Sequence, residues 1–159
     1  MLNRRRFLLS SAVAATPPKR NYRAALIGHT GRGNYGHNWE RAWAGLPNVQ
    51  VVAVADPDEA GRKASVARCG ALRDYRDYRQ MLEKEKPDLV AICPRWLDQR
   101  LEMVMAAAEA GAHLLVEKPF ARSVEDADRM VEAAERRGVK IQVGHPARPH
   151  PITLQVQRL

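Results

Sequence analysis

After residue 21, short apolar runs alternate with longer stretches whose apolar positions recur at helical spacing. Residues 22–28 read as a short strand. Residues 49–55 (Val-Gln-Val-Val-Ala-Val-Ala) are β-branched and almost wholly apolar, the pattern of a strand buried on both faces of a parallel sheet. Residues 71–75, 88–93, 113–116 and 139–144 complete the set of predicted strands. Helices are predicted over 34–45, 58–69, 77–84, 98–110 and 123–137. Pro47 lies beyond the first, Pro57 stands near the start of the second, and Pro87 follows the third. Gly111 and Gly138 sit where the last two helices should end. Ser123 is a natural N-cap, and Asp126 three residues on makes a variant of the capping box. Strands that alternate with helices need crossover connections. The fold class is therefore α/β, a doubly wound parallel sheet with helices on both faces.

A chain of 159 residues is one domain of ordinary size. Hydrophobic residues at 45% and charged residues at 28% fit a water-soluble globular chain. The formal net charge is +8, and Arg4, Arg5 and Arg6 carry three of those charges. The remaining Lys and Arg are interleaved with Asp and Glu. No basic stripe with interleaved aromatics is present, which argues against nucleic acid as a partner. A modestly basic domain suits small anionic ligands such as a pyrophosphate. Cys69 and Cys93 have no metal-site spacing and read as two buried thiols.

Residues 1–20 stand apart. Three arginines precede Phe7, Leu8 and Leu9, and small residues follow, with Ala12-Val13-Ala14 as a candidate cleavage site. That order is the layout of an export signal, and Arg4-Arg5 before Phe7-Leu8 resembles the twin-arginine type. The apolar run is too short for a stable membrane span, so the expected location is periplasmic or exported, and otherwise cytoplasmic. Thr16 to Asn21 reads as a stiff, exposed linker. Residues 21–151 then form the main domain, and 152–159 begin a helical pattern that stops, as a truncated helix would.

The chemistry begins at Ile27-Gly28-His29-Thr30-Gly31-Arg32-Gly33-Asn34-Tyr35-Gly36-His37, between the first strand and the first predicted helix. A dinucleotide pyrophosphate sits at such a turn, where a Cβ would keep the backbone from the phosphate oxygens. Two registers fit. In one, Gly28 and Gly33 are the outer glycines and Thr30 takes the middle place. In the other, Gly31, Gly33 and Gly36 match G-x-G-x-x-G literally. The first is preferred, because Gly28 lies directly at the strand end. Thr30 could donate its hydroxyl to phosphate, and Arg32 could add a charge-assisted bond. Asp56 ends the second strand, where a carboxylate accepts from the adenosine ribose and disfavours a 2′-phosphate, so NAD is expected rather than NADP. The plainer reading of Asp56 is a turn or capping carboxylate before Pro57.

Glu117-Lys118-Pro119 follows the fifth strand, and Pro94-Arg95-Trp96 follows the fourth. Together with the glycine turn, Ala110-Gly111 and Val143-Gly144-His145 with Arg148 and Pro151, these residues resemble the Gfo/Idh/MocA oxidoreductases. The match spans about Arg23 to Pro151. It implies the Rossmann fold and an NAD(P)-dependent dehydrogenase of sugars, cyclitols or related polyols. Lys118 would lie near the nicotinamide and the substrate hydroxyl, holding the oxygen and helping to relay its proton. Glu117 would orient Lys118 or the cofactor amide, and Pro119 would be cis. Pro94 and Arg95 would stand at the cofactor. Trp96 reads equally as a packing residue or as one that flanks the nicotinamide.

The family often has a His soon after this Pro; here Asp98, Gln99 and Arg100 fill that stretch. The resemblance also implies that the family's second domain, which holds the substrate pocket and the oligomer contacts, is absent from this chain, so an oligomer is not expected. His145 and His150 read as linker histidines. Without the resemblance, Lys118 reads as a surface or ion-paired lysine. A non-catalytic nucleotide-binding module is the second reading of the chain, favoured by the expected truncation, while Lys118 favours the oxidoreductase. A methyl-donor ligand is the third reading, and Glu117-Lys118-Pro119 argues against it.

Overall fold

The computed structural model describes residues 20–145. All but the last residue of the leader and linker expected over 1–20, together with Arg148, His150, Pro151 and the helical pattern at 152–159, lies outside the described residues. Six strands form one parallel sheet: β1 (Tyr22–Ile27), β2 (Val49–Ala55), β3 (Arg73–Tyr75), β4 (Leu89–Ile92), β5 (His113–Glu117) and β6 (Ile141–Gly144). Their spatial order is β3-β2-β1-β4-β5-β6. The chain leaves β1 toward one edge and restarts at β4 toward the other, so the β1/β4 pair is the topological switch point. In register, Ile27 lies beside Ala55 on one side and Ile92 on the other. Open parallel sheets bind ligands in the crevice at the carboxyl ends of such a pair.

The apolar runs are buried as a parallel sheet requires. Leu26, Val52, Val54, Val90, Ile92 and Val116 are fully enclosed. Four α-helices connect the strands: α1 (Glu59–Cys69), α2 (Tyr78–Glu85), α3 (Arg100–Glu109) and α4 (Val124–Arg137). Their starts follow the capping residues in the sequence. Asp58 accepts from the Gly61 amide at 2.6 Å, Asp77 from Arg79 at 2.9 Å, and Ser123 from Asp126 at 3.1 Å. One face of the sheet packs against Met81, Met103, Val104, Ala107, Met130 and Ala133 of α2, α3 and α4. On the other face, Leu26, Val54, Ala91 and Cys93 are covered by Tyr35, Trp39, Trp43 and α1 residues Val66 and Cys69. Cys93 is buried as expected, whereas Cys69 is only half-buried.

The helix expected over 34–45 does not form. That stretch is a series of turns with a single 3-10 turn, Trp39–Arg41. Asn34, Gly36 and Asn38 all have positive φ, at 51°, 58° and 61°. A right-handed helix cannot run through three such residues. Asn and Gly adopt that conformation most readily, and a carboxylate from β5, described below, holds them there.

Glu85 closes the opposite end of the sheet. It is buried at the end of α2 and ties three elements together. Arg23 of β1 donates to it at 3.0 Å, Arg73 of β3 at 2.7 Å and the Tyr75 hydroxyl at 2.5 Å. The Arg73 hydrogen bond, against the opposing effect of burial, holds its carboxyl down at about 2 from an ordinary 4.5. A depressed carboxyl stabilises the fold fully above its unfolded value, and that stability is lost as pH falls through the folded one. Denaturant melts should therefore show wild type losing about 1–2 kcal/mol between neutral pH and about pH 3 through this group, a figure discounted for the half-exposed Arg73. Glu85→Gln should be weaker at neutral pH and lose less on acidification. An unchanged acid limb in that variant would remove Glu85 from the account.

Candidate nucleotide-binding site

The glycine-rich turn leaves β1 at Gly28, whose amide donates to Ala55 of β2 at 2.8 Å. His29 and Asn34 then pair across the turn, with the Asn34 amide donating to the His29 carbonyl at 2.9 Å. The Asn34 side chain takes the Gly31 amide at 3.0 Å, so the turn is closed by its own backbone and one carboxamide. Gly33 has φ +94°, and a Cβ there would lie 2.3 Å from the Arg95 nitrogen. The backbone after β4 thus crosses directly over Gly33, and the Arg95 amide donates to its carbonyl at 3.3 Å. Glycine is demanded at 33 by this crossing of two chain segments. Among the described residues, the Gly33 and Tyr35 amides have no hydrogen-bond partner, leaving two donors on this turn.

Asp56 sits at the end of β2 as expected, fully buried. Its carboxylate accepts from the Thr30 amide at 2.9 Å, the Thr30 hydroxyl at 2.8 Å and the Asp58 amide at 3.0 Å. The turn-carboxylate reading is therefore present in the structure: Asp56 holds the glycine turn to β2. Thr30, expected to offer its hydroxyl to phosphate, gives it to Asp56. Gly61 makes room for this arrangement, since a Cβ on α1 there would meet the Thr30 hydroxyl oxygen at 1.8 Å. Gly61 was not legible as a site residue from sequence. Behind the turn, the Tyr35 ring fills the space beside Gly28, and burial, with the Asp56 charge adding, pushes its phenol far above the usual value.

Gly28, His29 and Asp56 line a crevice of about 490 Å³ at the carboxyl ends of β1 and β2. Its far wall is Arg76, Asp77, Tyr78 and Arg79, with Gln99 and Met103 from the α3 side. The two arginines are a further cationic feature that motif reading missed, and among the described residues neither makes an ion pair. Arg32 points the other way. It pairs with Asp98 and stacks over the Trp96 ring, 5.2 Å from the centroid. Trp96 is 54% exposed, so it is a lip residue rather than a core one. Arg95 does not line the crevice; it lines a separate polar cavity with Thr30, Tyr35, Asn38, Glu40 and Arg68.

At the end of β5, the Lys118–Pro119 peptide is cis. Lys118 is half-exposed, and among the described residues its ammonium makes no ion pair. Glu117 is wholly buried and its carboxylate is fully used. One oxygen accepts from the Lys118 amide at 2.7 Å. The other accepts from the His37 amide at 3.0 Å, His37 Nδ1 at 2.7 Å and Trp39 Nε1 at 2.7 Å. Gly36 lies directly on this oxygen, and a Cβ there would approach it to 2.2 Å. Burial acts to raise the Glu117 carboxyl, but the His37 and Trp39 hydrogen bonds outweigh it and hold the group below the usual carboxylate range. Glu117, expected to orient Lys118 or a cofactor amide, reaches Lys118 through its backbone and otherwise organises the glycine-rich segment.

Arg100 is the residue that sequence reading passed over. It is 2% exposed at the start of α3. Its guanidinium donates to the carbonyls of Pro94, Glu117 and Pro119, the last at 2.8 Å, and so joins the β4 and β5 loops. Pro94 therefore enters the site through its carbonyl. Among the described residues, no cluster of His, Cys, Asp or Glu is arranged to hold a metal ion, and no helix is long and apolar enough to cross a membrane.

Known proteins share this fold. The oxidoreductase family with an NAD-binding Rossmann fold, Gfo/Idh/MocA, matches residues 22–145. The D-apiose dehydrogenase of Paraburkholderia graminis is 34% identical over 91% of this chain and 38% of its own length. The myo-inositol 2-dehydrogenase of Thermotoga maritima is 26% identical over 74% of this chain and 35% of its own. The chain thus spans little more than a third of these relatives. An oxidoreductase structure from Agrobacterium radiobacter, in complex with NAD+, L-tartaric acid and magnesium, superposes with a TM-score of 0.70 at 26% identity, over 80% of this chain and 36% of that one.

Proposed function

This chain belongs to the Gfo/Idh/MocA oxidoreductase family, matching its NAD-binding Rossmann domain, and from that premise we propose that it holds NAD for hydride transfer to or from a hydroxyl-bearing carbon of a sugar or polyol. The observation that carries the proposal is the crevice of about 490 Å³ at the carboxyl ends of β1 and β2, beside the β1/β4 switch point and lined by Gly28, His29 and Asp56. Its size and position suit the adenosine half of a dinucleotide. The unpartnered Gly33 amide is a donor for the pyrophosphate. With no α-helix directly following the turn, turn amides and not a helix dipole would supply the attraction. The bound nicotinamide supplies the hydride acceptor. Lys118, half-exposed beyond β5, donates its ammonium to the substrate oxygen and polarises it. The sugar or polyol follows the relatives' named substrates, D-apiose and myo-inositol. We also propose export through the twin-arginine-like residues 4–8.

NAD is favoured over NADP because Asp56 places a carboxylate at the end of β2. Titration of the chain with NADH and NADPH, followed by calorimetry, tests this. NADH should bind at least about tenfold more tightly. Asp56→Ala should weaken NADH by about 10–100-fold, because the glycine turn loses the charged hydrogen-bond partner that holds it to β2, and should narrow the preference. Thr30→Val removes the hydroxyl that Asp56 holds, so it should lower both affinities and leave their ratio unchanged. A folded chain that binds neither nucleotide would overturn the proposal.

A further inference from the structure

Resting on the reading above, we propose that Arg79, laid on the Tyr78 ring, is the platform on which the adenine base of the dinucleotide stacks. Both residues line the same crevice of about 490 Å³ as Gly28 and Asp56. Asp56 alone does not account for recognition of the adenosine half. It is fully buried, and its two oxygens already accept from Thr30 and Asp58. A carboxylate also offers a base no flat surface. A purine has apolar faces and polar edges, so it asks for an apolar slot and a π surface. Ile27, Ala55, Pro57 and Met103 supply the slot. Tyr78 and Arg79 supply the surface.

The surface is built from the core outward. The Tyr78 ring packs against the hydrophobic core, and its hydroxyl is buried. The Arg79 amide donates to the Asp77 carboxylate at 2.9 Å, which fixes the backbone at the start of α2. The guanidinium then lies over the Tyr78 ring, 4.5 Å from its centroid. A guanidinium is planar and weakly hydrated, so one face on a ring leaves the other for a second π system. Arg79 is exposed, and among the described residues it makes no ion pair. Its position also tells against a purely structural role. The amino end of a helix favours acids, yet α2 has none in its first turn and carries this cation there. A residue that breaks a local rule without a compensating partner in the fold points to a ligand. Arg76 lines the same crevice, but among the described residues it lies over no aromatic ring, so it brings charge without a surface.

Calorimetry on the full chain with NADH, NADPH, ADP-ribose and reduced nicotinamide mononucleotide tests this. Arg79→Ala should weaken NADH and ADP-ribose by the same factor, about 5–30-fold, the lower part of the range for losing a stacked base. The mononucleotide has no adenine, so its affinity should not change. Arg79→Lys keeps the charge without the plane and should lose about as much as the alanine variant. The side chain is exposed, so both variants should melt within about 2 °C of wild type. Full NADH affinity in Arg79→Ala, or full recovery in Arg79→Lys, would overturn the platform while leaving the nucleotide site standing. A loss confined to NADPH would do the same, because the arginine would then read a 2′-phosphate and not the base. A wild-type chain that binds neither NADH nor ADP-ribose would overturn both the platform and the nucleotide site.

Discussion

Replacing Gly33 by valine is expected to remove most nucleotide affinity and to lower the melting temperature by about 10–20 °C. Gly33 has φ +94°, and its missing Cβ would sit 2.3 Å from the Arg95 nitrogen, 2.7 Å from the Trp96 nitrogen and 2.9 Å from the Arg95 Cα. All three neighbours are backbone, so no side chain can swing aside. A strained φ costs about 1–3 kcal/mol and overpacking a similar amount. Any relief would push the glycine turn away from the β4 loop and open the nucleotide crevice. Gly31→Ala is the matched comparison. Gly31 also has positive φ, +80°, but a Cβ there meets nothing within 4 Å. It should lose only about 1 kcal/mol and keep most of its NADH affinity. Thermal melts and calorimetry on the two variants decide the point. Equal effects would mean that the crossing over Gly33 does not govern the site.

Arg100→Leu is expected to cost about 3–5 kcal/mol, the range for removing one partner of a buried charge. The buried guanidinium donates to the carbonyls of Pro94, Glu117 and Pro119. Leucine would leave these acceptors unpaired and remove a buried positive charge that couples to Glu117. The β4 and β5 loops carry Trp96 and Lys118, and they have no other common clamp among the described side-chain hydrogen bonds. Arg100→Lys should restore part of the stability, because an ammonium keeps the charge but cannot span carbonyls on two loops with a planar fork. Urea unfolding of the three proteins measures this. A leucine variant as stable as wild type would show that the loops hold themselves.

Much of the fold was legible because it is written locally. The runs at 49–55 and 88–93 could only be enclosed strands, and they became β2 and β4 with their central residues fully buried. Asp58 and Ser123 cap α1 and α4 through bonds to amides three residues away. The glycine turn and Asp56 were found for the same reason, since a strand end followed by glycines is a short-range signal. The predicted helix at 34–45 failed because its apolar spacing, with Trp39 and Trp43 four apart, is real but is overruled. The tryptophans do cover the sheet. They do so from a looped backbone.

The sequence alone determined the alternation of strands and helices, and hence the parallel sheet; the strand order that makes the β1/β4 switch point is a tertiary fact. Period, caps and turn residues act within a few positions, so they are present in the chain before it folds. Only the tertiary structure decided what Glu117, His37 and Arg100 do. Glu117 meets His37 from 80 positions away, and Arg100 meets Glu117 from 17. A buried carboxylate must gather whatever donors the fold brings to it, because desolvation without partners would cost more than any local helix gains. That requirement, imposed by packing, is met by a looped backbone where the helix was predicted, with His37 and Trp39 donating to Glu117.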